Sequence, residues 1–193
     1  RKSDWMASLK MQSDRTVGTE TVNMENMLNQ VMANGAIYLY QDGGEYNNIF
    51  PIWDWTRIPG VTCNFASQND FPKFNRRIKG KTEIVGGLTD EKYGISAMRV
   101  EADGLVANKS WYFTEDYILC LGSDIESHNG NPVATGVNQV FKKGDARVKM
   151  YGKPGFEIRN DAAGQLEAVL HAGVGYYFTP GQNVSLRVGE QTG

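Results

Sequence analysis

The chain contains few of the residues on which metal centres, disulfide scaffolds and nucleic-acid surfaces are built. Its 193 residues include two cysteines and two histidines, and its formal net charge is −2. A nucleic-acid-binding face requires a broad excess of basic residues. A membrane-spanning helix requires a run of about 20 apolar residues, and the sequence has none. We therefore expect no nucleic-acid partner and no membrane span.

The cysteines and histidines do not have the spacing of metal ligands. Cys63 and Cys120 lie far apart in the chain, and two alternatives remain open for them, a disulfide in an exported protein or two buried free thiols. His171 lies in an apolar run and is predicted to be a core histidine, whereas His128 precedes an Asn-Gly turn. No cofactor is expected from this set of residues.

Glycine-rich turn signals recur along the chain and separate short runs of aromatic and β-branched residues. Asp103-Gly104 is one such signal among a total of 22 glycines. This pattern is typical of antiparallel β structure, either a sandwich or a barrel. The runs that we predict to be strands are 36–40, 110–113, 117–121, 147–151, 168–171, 175–178 and 184–188.

One segment departs from the β pattern. Met24, Met27, Leu28, Val31 and Met32 fall at helical spacing, and Asn-Gly follows them as a stop signal. We expect a short helix or helical turn within residues 24–33. The fold class is thus all-β, a large antiparallel β-sandwich with at most one short helix, and residues 1–193 are expected to form a single domain.

Residues 44–60 combine polar side chains with aromatic rings between glycine and proline stops. Glu45 and Asn48 offer hydrogen bonds to hydroxyl groups, and Trp53 and Trp55 offer flat apolar faces. Such a set is typical of a loop that lines a carbohydrate groove. A tryptophan-rich loop packed under a sheet edge is the alternative.

The same segment carries a family resemblance. The order Gly-Glu-Tyr-x-Asn-Ile-x-Pro-x-Trp-x-Trp-x-x-Ile-Pro-Gly resembles the β-sandwich region of polysaccharide lyase family 8, which includes chondroitin AC, hyaluronate and xanthan lyases, with the chondroitin AC branch nearest. Further phrases that resemble the family follow in the expected order, at residues 13–16, 23–26, 85–94, 109–113, 120–125, 138–139 and 171–176.

The resemblance implies an architecture and a reaction. In these lyases a super-sandwich follows an α/α toroid, so the chain is expected to be a fragment whose toroid is absent upstream and whose C-terminus is truncated. The enzymes cleave uronic-acid polymers by β-elimination with Asn, His and Tyr residues of the toroid. The implied partners are an anionic polysaccharide and the toroid, the implied location is secreted or periplasmic, and the isolated chain is expected to be inactive.

The resemblance also implies roles for individual residues. Glu45 matches a glutamate that enters the cleft, where we expect it to orient the toroid's catalytic groups. Asn48 matches an asparagine near the substrate. Trp111 matches a tryptophan that stacks on a sugar ring, although strand alternation also permits a core position. Trp53 and Trp55 are interpreted as packing that holds the 45–48 loop.

A basic run and a weak cation site complete the predictions. Arg76 and Arg77 lie in a run of five basic residues between 73 and 81, which either attracts an anionic glycan or forms a solvated loop. Some relatives bind calcium near Glu83 and Asp90, which are therefore candidate ligands. The alternative to the lyase interpretation is a non-catalytic carbohydrate-binding or structural β-sandwich module.

Overall fold

The computed structural model describes residues 4–192. Every strand pairing in this range is antiparallel, and the helical residues in it are confined to two 3-10 helices, Phe50–Ile52 and Gln68–Asp70. The prediction of an all-β antiparallel fold is confirmed. The strands are β1 (Met6–Lys10), β2 (Val17–Thr21), β3 (Ala36–Tyr40), β4 (Thr62–Cys63), β5 (Arg76–Lys79), β6 (Val85–Thr89), β7 (Gly94–Ala102), β8 (Leu105–Phe113), β9 (Ile118–Ser127), β10 (Ala134–Thr135), β11 (Arg147–Met150), β12 (Glu157–Ile158), β13 (Asp161–Gly164), β14 (Leu166–His171), β15 (Val174–Tyr177) and β16 (Val184–Arg187).

Within the single domain expected from the sequence, the chain divides into two compact units, Arg1–Gln139 and Val140–Gly193. The first unit contains a four-stranded sheet in the order β6-β7-β8-β9, together with the two-stranded pairs β1-β3, β2-β5 and β4-β10. In the second unit a four-stranded sheet has the order β12-β11-β14-β15, and β13 pairs with β16.

The core of the first unit lies between the four-stranded sheet and the β1–β3 ribbon. Met98, Leu105 and Trp111 of the sheet form a buried cluster with Ile37 of β3, and Leu9 of β1 packs against that cluster. β8 shows why the sequence folds this way, since its residues alternate between buried and less buried positions, as expected for a strand with one face on the core. Two layers of sheet therefore enclose this core.

The second unit repeats this principle on a smaller scale. Ala146, Val148, Leu166 and Val169 form its buried cluster, and Ala162, Val184 and Leu186 of the β13–β16 pair pack against them. Apolar side chains on one face of each strand set are thereby removed from water, which is the dominant favourable contribution to folding.

Residues 24–33 do not form the expected helix. They form successive turns, because Asn23, Met24 and Asn26 adopt left-handed backbone conformations with φ of 53°, 61° and 55°. A right-handed helix cannot pass through such residues. Met24 is 54 % exposed and Leu28 is 38 % exposed, so the apolar spacing in this segment does not correspond to one buried face.

The cysteines are both free thiols, which decides between the two alternatives left open by the sequence. Cys63 is buried, but Cys120 is exposed on β9, so only one of the two is a buried thiol.

His171 is half-buried and accepts a hydrogen bond from the Lys143 N–H at 3.4 Å, while His128 is exposed beyond β9. His171 is thus partly accessible rather than a core residue. Between residues 4 and 192, no helix is long and apolar enough to span a bilayer.

Candidate functional site

The loop of residues 41–48 connects β3 to the first 3-10 helix and is organised by the Glu45 carboxylate. Oε1 of Glu45 accepts hydrogen bonds from the backbone N–H groups of Gln41 at 2.7 Å and Asp42 at 2.9 Å. Oε2 accepts a third bond from the Gly43 N–H at 3.0 Å. Hydrogen bonds to an ionised acceptor are the stronger kind, so this carboxylate stabilises the path of its own loop.

The same contacts determine the protonation state of Glu45. Its side chain is largely buried, with 9 % of the residue exposed, and desolvation on its own raises the pKa of the carboxyl. The backbone hydrogen bonds from Asp42 and Gln41 outweigh that effect, so the pKa of Glu45 lies below its ordinary value. Glu45 is therefore ionised at neutral pH and acts only as an acceptor. A carboxylate offers about four acceptor positions, and three hydrogen bonds leave room for a further donor.

The rings of Tyr38, Tyr40, Tyr46, Trp53 and Trp55 form an aromatic cluster that packs against this loop. The ring of Tyr46 packs edge-on against Tyr38 at 4.9 Å and Tyr40 at 5.4 Å. Trp53 lies parallel to Tyr38 at 6.0 Å and edge-on to Trp55 at 5.6 Å. Burial, and secondarily the charge of Tyr40, raises the pKa of Tyr38 to about 12. The interpretation of Trp53 as packing for this loop is confirmed, since its ring lies edge-on to Tyr46 at 6.2 Å. Trp55 contacts Trp53 and Phe50.

Polar contacts with residues 138–139 anchor the two ends of the aromatic cluster. The Tyr46 hydroxyl donates to Oδ1 of Asn138 at 3.3 Å and accepts from the Leu39 N–H at 3.1 Å. Gln139 accepts from the Asp54 N–H at 2.8 Å and donates to the Asp54 carbonyl at 3.1 Å. Because the bonds to Asn138 and Gln139 bridge 92 and 85 residues of sequence, the loop is attached to a distant part of its unit.

Asn48 and Phe50 form the outward-facing part of the loop. Asn48 is exposed and has a left-handed backbone with φ of 57°, a conformation that asparagine tolerates better than most residues. Phe50 is 45 % exposed and contacts the Trp53 ring edge-on at 5.2 Å. An amide and an aromatic ring are thus exposed three and five residues beyond the fixed anion of Glu45. Groups of these kinds bind hydroxylated ligands.

The structure corrects the assignment of Trp111 as a sugar-stacking residue. Trp111 is 1 % exposed and belongs to the core cluster beneath the four-stranded sheet. Its ring lies so close to Gly35 that a Cβ atom at that glycine would be 2.8 Å from the ring. A side chain enclosed in this way cannot present a face to a sugar. The core alternative, which strand alternation also permitted, is the correct one.

The two arginines of the basic run have different environments. Nη2 of Arg76 forms an ion pair with Oδ1 of Asp103 at 2.7 Å, and both side chains are mostly buried. Nε of Arg77 lies 3.2 Å from Oε2 of Glu20 on the paired strand β2, with 75 % of the arginine side chain exposed. Arg76 therefore connects β5 to the β7–β8 turn, and Arg77 is the one that an anionic ligand can reach.

Of the two candidate calcium ligands, Asp90 has its carboxylate engaged within its own turn. The Asp90 carboxylate accepts the backbone N–H groups of Lys92 at 3.0 Å and Tyr93 at 2.6 Å, and these bonds lower the pKa of Asp90. The Glu83 carbonyl accepts a hydrogen bond from Arg15 at 3.1 Å. Within the described range, no group of three or more His, Cys, Asp and Glu side chains is placed to hold a metal ion.

Lys109 is a buried titratable residue that was not among the residues predicted from the sequence. Its residue is 7 % exposed, and Nζ donates to the carbonyl oxygens of Asn34, at 3.1 Å, and Gly60. Desolvation lowers the pKa of Lys109 to about 7, against a smaller opposite effect of Cys120. The signal was present in the sequence, since Lys109 occupies the same alternating positions of β8 as Leu105, Ala107 and Trp111, which are all buried.

Comparisons with known proteins agree on one family. Residues 1–193 match the family model described as polysaccharide lyase family 8, super-sandwich domain. Chondroitinase-AC of Pedobacter heparinus is 35% identical over 188 residues, which cover 96% of this chain and 27% of that protein. Hyaluronate lyase HylB of Enterococcus faecalis is 25% identical over 206 residues, which cover 97% of this chain and 20% of that protein.

A solved structure gives the same result. A chondroitinase AC lyase, whose active site was studied in enzyme–oligosaccharide complexes, aligns with a TM-score of 0.84 and 32% identity. The alignment covers 97% of this chain and 28% of that one. The chain thus spans less than a third of the length of each of these relatives.

Proposed function

Because this chain belongs to polysaccharide lyase family 8, we propose that it is the β-sandwich part of a lyase that cleaves uronic-acid-containing polysaccharides, such as chondroitin or hyaluronan, by β-elimination. Glu45 and Asn48 are its contributions to the active-site cleft. The observation that carries this proposal is the preorganised loop 41–48, in which an ionised carboxylate is fixed by three hydrogen bonds and the amide three residues later is exposed.

β-Elimination at a uronate sets three chemical requirements. The substrate carboxylate must be neutralised, a base must remove the proton at C5, and an acid must protonate the leaving oxygen at C4. Glu45 meets none of these directly, because its lowered pKa leaves no proton to donate and three N–H donors already stabilise its negative charge. Its role is to accept a hydrogen bond from a tyrosine, histidine or arginine of the toroid and to hold that group in its catalytic orientation.

Asn48 contributes to binding rather than to proton transfer. A side-chain amide provides two donors and one acceptor oxygen, which suits the hydroxyl and carboxylate groups of a uronate. Since Asn48 is exposed, it can reach a polymer lying along the surface of the loop. The substrate is long and anionic and does not cross a cell membrane, so the proposed enzyme is secreted or periplasmic.

A second candidate function is a non-catalytic carbohydrate-binding or structural module. It is favoured by the fact that all three hydrogen bonds to the Glu45 carboxylate come from its own loop, as they would in a purely structural turn. The two functions differ in what they predict for the full-length protein.

The decisive experiment measures ultraviolet absorbance of the C4–C5 double bond when the full-length protein is incubated with chondroitin, hyaluronan or xanthan. Formation of unsaturated products by the full-length protein, and not by residues 1–193 alone, supports the lyase proposal. Binding of these polymers without unsaturated products would establish the module instead, and turnover by the isolated chain would mean that the catalytic groups lie within it.

A further inference from the structure

An open cleft of about 380 Å³ lies in the first unit, where Phe113 both lines the cleft and packs against the buried core. One wall is formed by Trp5 and Ala7, at the start of β1, and the other by the β6–β7 hairpin. Its lining includes three aromatic side chains and three polar ones, namely Trp5, Tyr93, Phe113, Thr89, Lys92 and Ser96. This volume is within the usual range for small-molecule sites, about 300–1,000 Å³.

The cleft exists because two strand positions beneath it are glycines. On the face of the sheet that carries Trp111, Gly87 pairs with Ser96, and Gly94 lies between Thr89 and Phe113. Neither glycine has a side chain to fill the space above the sheet. A Cβ atom at Gly94 would be 3.8 Å from the Phe113 side chain, in ordinary contact, so nothing in the local packing requires glycine there. At Gly87 a Cβ atom would be 2.9 Å from the Ile95 carbonyl oxygen, so that position does require glycine.

The hairpin turn holds Lys92 and Tyr93 in fixed positions. The Asp90 carboxylate accepts both of their backbone N–H groups, and Nζ of Lys92 lies 5.3 Å from the centre of the Tyr93 ring. Lys92 also pairs with Glu115 at 3.4 Å, with more than half of each side chain exposed. An ion pair this exposed is weak, so an anionic ligand can displace Glu115 from Lys92 at little cost.

The register of the β1–β3 ribbon places this cleft beside the loop described above. Met6 pairs with Tyr40, so Trp5 lies just beyond the last pair, where the chain leaves β3 and begins residues 41–48. The ring of Tyr40 also contacts Tyr46 of that loop at 5.4 Å. A polymer that crosses the 41–48 loop at this end of the ribbon therefore has the cleft next to it.

We propose that this cleft is a saccharide-binding subsite for a sugar unit that carries a carboxylate or sulfate group. Trp5 and Tyr93 stack on the sugar ring, Lys92 pairs with its anionic group, and Thr89 and Ser96 bind hydroxyls. Aromatic faces together with a few polar groups are the usual means of binding sugars in water. The identity of the polymer rests on the proposed function. Binding of a sugar in the cleft requires no proton transfer, so it does not depend on catalysis.

The test compares KM and kcat of the full-length protein on chondroitin, and the Kd of the same protein for a chondroitin tetrasaccharide, in Trp5→Ala, Tyr93→Ala and Lys92→Gln. We expect the aromatic variants to raise KM and Kd by roughly tenfold, the factor that corresponds to about 1.4 kcal/mol. Lys92→Gln should weaken binding at low ionic strength and much less at high salt, since exposed charges are screened.

Tyr177→Ala and Lys153→Gln serve as matched controls, because Tyr177 is 75 % exposed, Lys153 is exposed, and neither lines the cleft. KM and Kd of Trp5→Ala and Tyr93→Ala within twofold of these controls would overturn the subsite. Tyr93 is 47 % exposed, so its substitution tests the subsite even where Trp5→Ala fails to fold. If the full-length protein forms no unsaturated product, the lyase proposal fails, and the Kd values alone still decide on the subsite.

Discussion

Nζ of Lys109 lies 5.4 Å from the centre of the Trp111 ring, deep beneath the four-stranded sheet. The same nitrogen donates to the carbonyls of Asn34 and Gly60. These two residues bracket the segment that contains β3, the Glu45 loop and the aromatic cluster. A single buried lysine thus connects both ends of the candidate site to β8.

The buried lysine predicts a specific dependence of stability on pH. Its pKa is about 7 in the folded chain and 10.5 ordinarily, so between these values the unfolded chain binds more protons than the folded one. Stability therefore rises with pH across this window, by at most about 1.4 kcal/mol per unit, and is independent of this group below pH 7. Lys109→Met should remove that rise.

The measurement is urea unfolding of the wild type and Lys109→Met at a series of pH values from 6 to 10. The difference between the two curves isolates Lys109 from other groups, such as Tyr38, whose raised pKa of about 12 lowers stability at more alkaline pH. Parallel pH profiles for the two proteins would show that folding does not lower the pKa of Lys109.

If the proposed lyase function is correct, Glu45→Gln should lower kcat of the full-length protein by roughly 100-fold, the scale of losing a group that orients a proton-transfer residue. The amide oxygen of the glutamine can still accept from the Gln41 and Asp42 N–H groups. Its NH2 group, which is a donor, then faces the Gly43 N–H and cannot accept from it. Initial rates measured from double-bond absorbance give kcat and KM separately. Glu190→Gln, an exposed carboxylate, is the control, and wild-type kinetics in Glu45→Gln would reduce the loop to a structural role.

Two neighbouring aromatic residues of β8 should differ sharply in their effect on stability. Trp111→Ala empties a site that is 1 % exposed and should lower the free energy of unfolding by about 3–5 kcal/mol. Tyr112 points to the other face of the sheet and is 38 % exposed, so Tyr112→Ala should cost much less. Denaturant unfolding of both variants measures the difference. A stable Trp111→Ala protein with reduced affinity for chondroitin would restore the stacking role.

Arg76 and Arg77 should separate stability from substrate attraction. Arg77→Gln removes an exposed charge and should raise KM for an anionic polymer at low salt but not at high salt, where screening is effective over distances beyond a few Å. Arg76→Gln breaks a largely buried ion pair with Asp103 and should instead lower stability by about 1 kcal/mol or more. Kinetics at two ionic strengths and thermal unfolding of both variants test this contrast. If KM is unchanged in Arg77→Gln at low salt, the basic run is only a solvated surface.

Local sequence was sufficient where short-range geometry determines structure. Asp103-Gly104 was predicted to be a turn and forms the two-residue connection between β7 and β8, with φ of 50° and 77°. Both values suit the type of hairpin turn that these residues favour. The run 36–40 coincides with β3, because alternating aromatic and branched side chains favour an extended backbone that packs on both sides.

Residues 24–33 show where local sequence was misleading. The helical spacing of their apolar residues is real, but a helix of ten residues is marginal without a packed face. Asn23 and Asn26 tolerate left-handed backbones, and in the left-handed conformation of Met24 its backbone N–H donates a hydrogen bond to Oδ1 of Asn75 at 2.8 Å. Contacts with a residue about 50 positions away therefore outweighed the local preference.

The sequence by itself determined the β-rich class, the turns and the family, because these depend on alternation, turn chemistry and the order of motifs along the chain. Only the tertiary structure decided which side of a strand faces a layer of other side chains. Alternation puts Lys109 and Trp111 on the same face, but burial of that face depends on the β1–β3 ribbon that packs over it. The Glu45 carboxylate, in contrast, finds its three backbone donors within its own loop, and the tertiary structure decides how that loop is attached to its unit, through Tyr46 and Asn138.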